Sequence, residues 1–178
     1  MTRVAAIIGG GVIGGGWAAR FALMGWEVRV FDPDPEAERK MGEVMGNAAR
    51  VLPMLYEAPM PVRGAITMVA TVAEAVRGAD WIQESVPERL DIKHRVIAEI
   101  QGACPEGAVL ASSTSGFKPS ELQEGAARPG QIMVAHPFNP VYLLPLIELV
   151  PSAASDAQIV DRAKDILTQI GMYPLHVR

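Results

Sequence analysis

The chain has one cysteine, Cys104, among 178 residues. A lone thiol closes no internal disulfide and has no metal-ligand spacing around it, so neither a disulfide framework nor a thiolate metal centre is expected. Sparing use of cysteine fits a reducing cytoplasm, where the protein is expected to reside. Excess charge is missing too: a formal net charge of −4 offers no basic footprint for nucleic acid or an anionic membrane. No run of about 18 apolar residues is present to span a bilayer. The apolar start does not read as a secretory signal, because Gly9 to Gly16 interrupt it and no small-residue cleavage site follows a charged segment. Internal repeats and low-complexity tracts are absent. What remains, with 49% apolar and 20% charged residues, is the composition of a single well-buried α/β core.

The most informative stretch begins at Val4. Val4-Ala5-Ala6-Ile7-Ile8 reads as a short strand buried on both faces of a parallel sheet. Gly9-Gly10-Gly11-Val12-Ile13-Gly14 then fits G-x-G-x-x-G, and Ile13, Trp17, Ala18, Phe21 and Ala22 carry the spacing of a helix packed on that sheet. The glycines suit a tight turn, a close approach of bare backbone to a pyrophosphate, and close helix–strand packing. The helix N-terminus would face the anion. The next apolar run, Val28 to Phe31, ends in Asp32, 18 residues past Gly14. A carboxylate there can accept from both ribose hydroxyls of NAD and would repel the 2′-phosphate of NADP. The plainer alternative is that Asp32 or Asp34 only caps a helix carrying Pro35 in its first turn.

Further along, the pattern predicts a helix over 35–52, a strand over 66–70, and a short helix with Thr71 and Glu74 as capping box. It continues with a strand over 80–86, a helix to about Ala103, a strand over 109–112, a brief helix from Lys118 and a strand over 132–135 delivering His136. A strand over 146–150, a helix capped by Ser155 with Gln158, and a strand over 173–177 complete it. Strict alternation implies right-handed crossovers, hence a Rossmann-type doubly wound, mostly parallel sheet with helices on both faces. Residues 175–178 carry no terminating loop or cap, so the chain is expected to be part of a longer protein.

Oxidation of an alcohol needs a base for the hydroxyl proton and donors for its oxygen. His94, between Lys93 and Arg95, fits a solvated helix face. His136 follows a buried strand at the ligand edge of the sheet, with Asn139 three residues on. Glu148 follows an apolar run that should half-bury it, and a His–Glu pair would meet its need for a partner. Ser112 to Ser115 form a hydroxyl cluster that suits a turn, with one hydroxyl free for a substrate oxygen. Glu84, Glu88 and Lys93 fit caps and surface charges as readily as cofactor contacts.

Together these residues resemble the N-terminal half of the 3-hydroxyacyl-CoA dehydrogenases, over essentially the whole chain. Gly9 to Gly14 resembles their nucleotide loop, Ser113-Thr114-Ser115 their serine loop, and His136-Pro137-Phe138-Asn139-Pro140 with Glu148 their catalytic segment. The resemblance implies an NAD-dependent 3-hydroxy dehydrogenase with His136 as base and Glu148 as its partner. It implies Ser115 and Asn139 on the substrate oxygen and nicotinamide side, and the loop with Asp32, Glu88 and Lys93 on NAD. It also implies that residues 1–178 are an NAD-binding domain, followed in the full-length homodimer by a helical substrate and dimerisation domain. Where the acyl-CoA enzymes usually carry an aromatic residue after the histidine, this chain has Pro137. The segments 83–91, 111–116, 141–146 and 171–178 resemble the family's L-carnitine 3-dehydrogenase branch. The small-molecule substrate is therefore expected to be carnitine, with a 3-hydroxyacyl thioester as the alternative and a non-catalytic, crystallin-like NAD-binding protein as a second one.

Overall fold

The computed structural model describes residues 3–177. Eight strands form one sheet: β1 (Val4–Ile8), β2 (Glu27–Phe31), β3 (Ile66–Met68), β4 (Trp81–Glu84), β5 (Val109–Ser112), β6 (Ile132–Pro137), β7 (Leu146–Val150) and β8 (Tyr173–His176). Their order is β3-β2-β1-β4-β5-β6-β7-β8. Pairing from β3 through β6 is parallel. β7 turns antiparallel to β6, and β8 runs parallel to β7. Strand order reverses between β1 and β4, the position where open α/β sheets bind ligands beyond their carboxyl ends.

Among the described residues six α-helices cover the two faces: α1 (Val12–Leu23), α2 (Ala37–Val51), α3 (Val72–Val76), α4 (Leu90–Ala103), α5 (Pro119–Leu122) and α6 (Ala157–Gln169). Residues alternating along the strands divide the core in two. Ala5, Ile7, Trp81, Val109 and Ala111 pack under α1, α2 and α6. Ala6, Ile8, Ile82, Leu110 and Val134 pack under α3, α4 and α5. Strands β4 and β5 are buried at every residue, as central parallel strands covered on both faces must be.

Several boundaries differ from the sequence expectation. α2 starts at Ala37, because Pro35 sits in a turn where Asp34 Oδ1 accepts from the Glu36 N–H at 2.9 Å. Asp156, not Ser155, caps α6, accepting from the Gln158 N–H at 2.7 Å. Ser155 instead donates to the Ile132 carbonyl at 3.0 Å. β6 runs on through His136 and Pro137: the prolyl nitrogen closes the strand without stopping it, since only the last rung lacks a donor. Arg178, in the last segment of the family resemblance, lies outside the described residues.

A buried arginine locks the α1 side. Arg20, the one basic residue near the end of an otherwise apolar helix, is 2% exposed. It donates to the carbonyls of Ile170 (2.7 Å), Gly171 (2.5 Å) and Tyr142 (3.2 Å) and to the Tyr56 hydroxyl (2.6 Å). Two of those carbonyls close α6, whose last turn has no basic residue of its own, so the guanidinium meets the negative end of that helix. Burial lowers its pKa, partly opposed by Tyr56. Through Tyr142 it also ties down the turn linking β6 to β7.

Candidate active site

The glycine loop leaves β1 at the reversal point. Gly9 has φ +97°, and a Cβ there would meet the Ser85 carbonyl oxygen at 2.6 Å. A Cβ on Gly14 would come within 1.8 Å of the Gly9 carbonyl oxygen, so helix and loop touch backbone to backbone. Gly11 differs: a Cβ there would meet nothing within 4 Å, because its bare face opens outward beside exposed Val12. No side chain caps the first turn of α1 and no acidic residue lies in it. Its N–H groups are therefore open to an anion. At the end of β2, Asp32 accepts from the Gly10 N–H at 2.6 Å and the Asp34 N–H at 2.8 Å, one on each oxygen. Each oxygen keeps a further acceptor site. The open N–H groups suit a pyrophosphate, and the remaining acceptor sites of Asp32 suit a ribose diol.

At the ends of β4 and β5 Glu84 and Lys93, which the sequence left open between caps, surface charges and cofactor contacts, form a buried network with Glu88. Glu84 is 0% and Lys93 1% exposed. Lys93 Nζ lies 2.9 and 3.1 Å from the two Glu84 oxygens, 3.3 Å from the Val86 carbonyl and 3.2 Å from Glu88 Oε2. Glu84 also accepts from the Val86 N–H (2.8 Å) and the Ser112 hydroxyl. An unpaired buried charge costs several kcal/mol, and here every charge is met. Two consecutive polar residues, Gln83 and Glu84, inside a strand that must be buried on both faces were the available signal.

Glu88 carries this network to the serine loop. Its Oε1 accepts from the Thr114 hydroxyl and from the N–H groups of Ser115 (3.2 Å) and Gly116 (3.0 Å). Burial works to raise its pKa, but the Thr114 hydroxyl, the Gly116 N–H and Lys93 together hold it below the ordinary value. The turn bearing exposed Ser115 is thus fixed by a carboxylate from the neighbouring strand connection. His94 is not on a solvated face: half-buried, its Nε2 lies 2.7 Å from the Glu121 carbonyl and fastens α4 to α5.

The antiparallel register sets His136 opposite Glu148. Its Nδ1 lies 2.9 Å from Glu148 Oε2, with side chains 28% and 40% exposed. The carboxylate accepts, so Nδ1 carries a proton; Nε2 has no protein partner among the described residues. The Phe138 ring stands edge-on to the imidazole, centroids 5.6 Å apart. His136, Glu148 and the turn from Thr114 to Lys118 line one open cleft of roughly 280 Å³. Ser115 is therefore brought to the histidine, whereas Asn139, exposed in the following turn, is not among the lining residues.

The sequence model of the 3-hydroxyacyl-CoA dehydrogenase, NAD binding domain, matches residues 4–178. The chain belongs to this family. As an NAD-binding Rossmann domain of that family, it is 67% identical over 98% of its length to an L-carnitine dehydrogenase/betainyl-CoA thioesterase of Ruegeria pomeroyi, covering 36% of that protein. It is 51% identical, again over 98%, to an L-carnitine dehydrogenase of Mesorhizobium japonicum, covering 48% of it. Among solved structures, 5-formyl-3-hydroxy-2-methylpyridine 4-carboxylic acid 5-dehydrogenase, an NAD+-dependent dismutase, superposes with a TM-score of 0.91 at 33% identity. That superposition covers the whole chain and 58% of the other. The chain thus spans about a third to a half of the length of these curated relatives. Among the described residues no helix is long and apolar enough to cross a membrane.

Proposed function

We propose that the chain is the cofactor half of an NAD-dependent dehydrogenase that oxidises the 3-hydroxyl of L-carnitine to 3-dehydrocarnitine. The observation that carries the chemistry is the His136–Glu148 pair across the β6–β7 ladder, with Nε2 left open in the cleft shared with Ser115. NAD, when bound, supplies the hydride acceptor. Gly9 to Gly14 hold its pyrophosphate and Asp32 its adenosine ribose, with Glu88 at the flank; Lys93, buried and engaged by Glu84, Val86 and Glu88, acts through Glu88. His136 Nε2 takes the hydroxyl proton; Glu148 fixes the tautomer and stabilises the imidazolium as it forms. Ser115 and Asn139 hold the substrate oxygen and the nicotinamide side.

Carnitine is favoured over an acyl-CoA by the names of the relatives, at 67% and 51% identity, and by α2. That helix offers a CoA phosphate few free cations: Arg39 is engaged by Glu36 and Glu43, and Lys40 by Asp34. A quaternary ammonium prefers aromatic faces and carboxylates instead, and Phe138 is exposed beside His136. In the full-length protein a helical domain outside this chain completes the pocket and forms a homodimer, and the enzyme works in the cytoplasm.

The decisive measurement is turnover of L-carnitine and of acetoacetyl-CoA by the full-length protein with NAD(H). Turnover of the CoA ester alone overturns the carnitine assignment. Cofactor binding with no turnover of any 3-hydroxy acid overturns the enzymatic reading. The 178-residue chain is expected to bind NADH with little or no activity; robust turnover by it would remove the need for a second domain.

A further inference from the structure

A second polar chain climbs the α1 side of β4 and β5 toward the same edge. The indole N–H of buried Trp81 donates to Gln83 Oε1 at 2.9 Å. Gln83, 0% exposed, donates from Nε2 to Ser113 Oγ at 2.8 Å. Ser113 Oγ lies 2.8 Å from Ser85 Oγ. An indole N–H can only donate, so the Gln83 oxygen is committed to Trp81 and its NH₂ to Ser113. Ser113 therefore accepts at that contact. Two hydroxyl hydrogens remain on the serine pair, and one is consumed between them. The other has no protein acceptor among the described residues. A chain of fixed polarity thus ends in one unspent O–H donor on two half-buried serines.

Its location gives that donor a purpose. Ser85 follows β4 with its backbone against Gly9, and Ser113 precedes the Thr114–Gly116 turn. The sheet order sets Asp32 at the end of β2, the glycine loop at β1, the serine pair at β4 and β5, and His136 at β6. We infer that the unspent hydroxyl donates to an acceptor on the nicotinamide-nucleoside half of NAD. Ser85 and Ser113 are then cofactor-binding residues. Trp81 and Gln83 are positioning residues that set the direction of the serine hydrogens without touching the ligand.

The test is the affinity of the chain for NADH and for ADP-ribose, which lacks the nicotinamide, measured by calorimetry. The double variant Ser85→Ala/Ser113→Ala should weaken NADH about 5- to 20-fold, the loss of one hydrogen bond from a confined donor, and leave ADP-ribose unchanged. Trp81→Phe removes the indole N–H far from the ligand. The Gln83 carboxamide can then turn, accept from Ser113, and leave both serine hydrogens spent inside the protein. NADH should weaken several-fold again, with ADP-ribose unchanged and any packing loss read separately from the unfolding temperature. Unchanged NADH affinity in the double variant overturns the inference, as does an equal loss for the two ligands or a wild-type chain that binds neither. A Trp81→Phe protein with lowered unfolding temperature but wild-type NADH affinity overturns the positioning role.

Discussion

The two ends of the ligand edge are built on opposite principles. At β1 and β2 recognition rests on backbone: Gly11 presents open space where a side chain would stand, and α1 offers uncapped N–H groups. At β5 to β7 it rests on side chains, with His136, Glu148, Ser115 and Glu88 drawn from four separate segments. The backbone end is drawn from one contiguous stretch of the chain, Gly9 to Asp34. The side-chain end exists only because the strand register makes it, and every contact in it can be deleted singly. Under the proposed function, the adenosine half of the cofactor and the proton transfer fall at opposite ends of one sheet edge.

The largest expected effect lies at the side-chain end. His136→Ala in the full-length protein should lower kcat by about 10² to 10⁴ while NADH affinity stays within about twofold, a split that steady-state rates and calorimetry would display together. A nearly unchanged rate removes His136 as base. Gly14→Ala attacks the other end, where a Cβ would come within 1.8 Å of backbone oxygen and no rotamer offers relief. Unfolding should become easier by about 3 kcal/mol, with NADH affinity lost in the protein that still folds; a wild-type denaturation midpoint and Kd would show that the helix can back away. Asp32→Ser should cost about tenfold in NAD affinity and narrow the preference over NADP, so an unaltered ratio of the two constants would strip Asp32 of its discriminating role.

The smallest effect concerns pH. Glu88, partly buried but held by Thr114, Gly116 and Lys93, has a folded pKa below its ordinary value of about 4.5. Its contribution to stability is therefore full above that value and lost as pH falls through the folded pKa. Protection of the Ser115 and Gly116 amides from hydrogen exchange, corrected for the intrinsic rate, should be lost as pH falls below about 4.5 while that of Gly11 and Val12 is unchanged, and Glu88→Gln should flatten the difference. An equal loss of protection at both ends would deny that only one of them is held by an ionised side chain.

The same contrast explains what could be read in advance. The loop, Asp32, the alternation of strands and helices and the doubly wound sheet were legible because each is a local pattern with a fixed period or spacing. Misreadings fell on groups whose partners are distant in sequence. Glu84 and Lys93 pair inside the core rather than on the surface, and His94 anchors α5 instead of facing solvent. Ser155 yields the cap to Asp156 because its hydroxyl is taken up by the Ile132 carbonyl. Gln83 and Ser85 were visible only as members of the resembling segment 83–91, with no role attached; their polarity is defined by an indole two residues away in β4 and a serine 28 residues on.

By itself, then, the sequence determined the cofactor loop, the fold class and the candidate base, since glycine spacing, apolar periodicity and a histidine at a strand end are local properties of the chain. Only the tertiary structure decided that His136 lies within β6 opposite Glu148, that Glu88 clamps the serine turn, and that one serine hydrogen at the β4–β5 edge is left to donate. Those facts depend on register and on the pairing of buried polar groups. Both are settled by the cost of leaving a charge or donor unmet in the core, which no local pattern records.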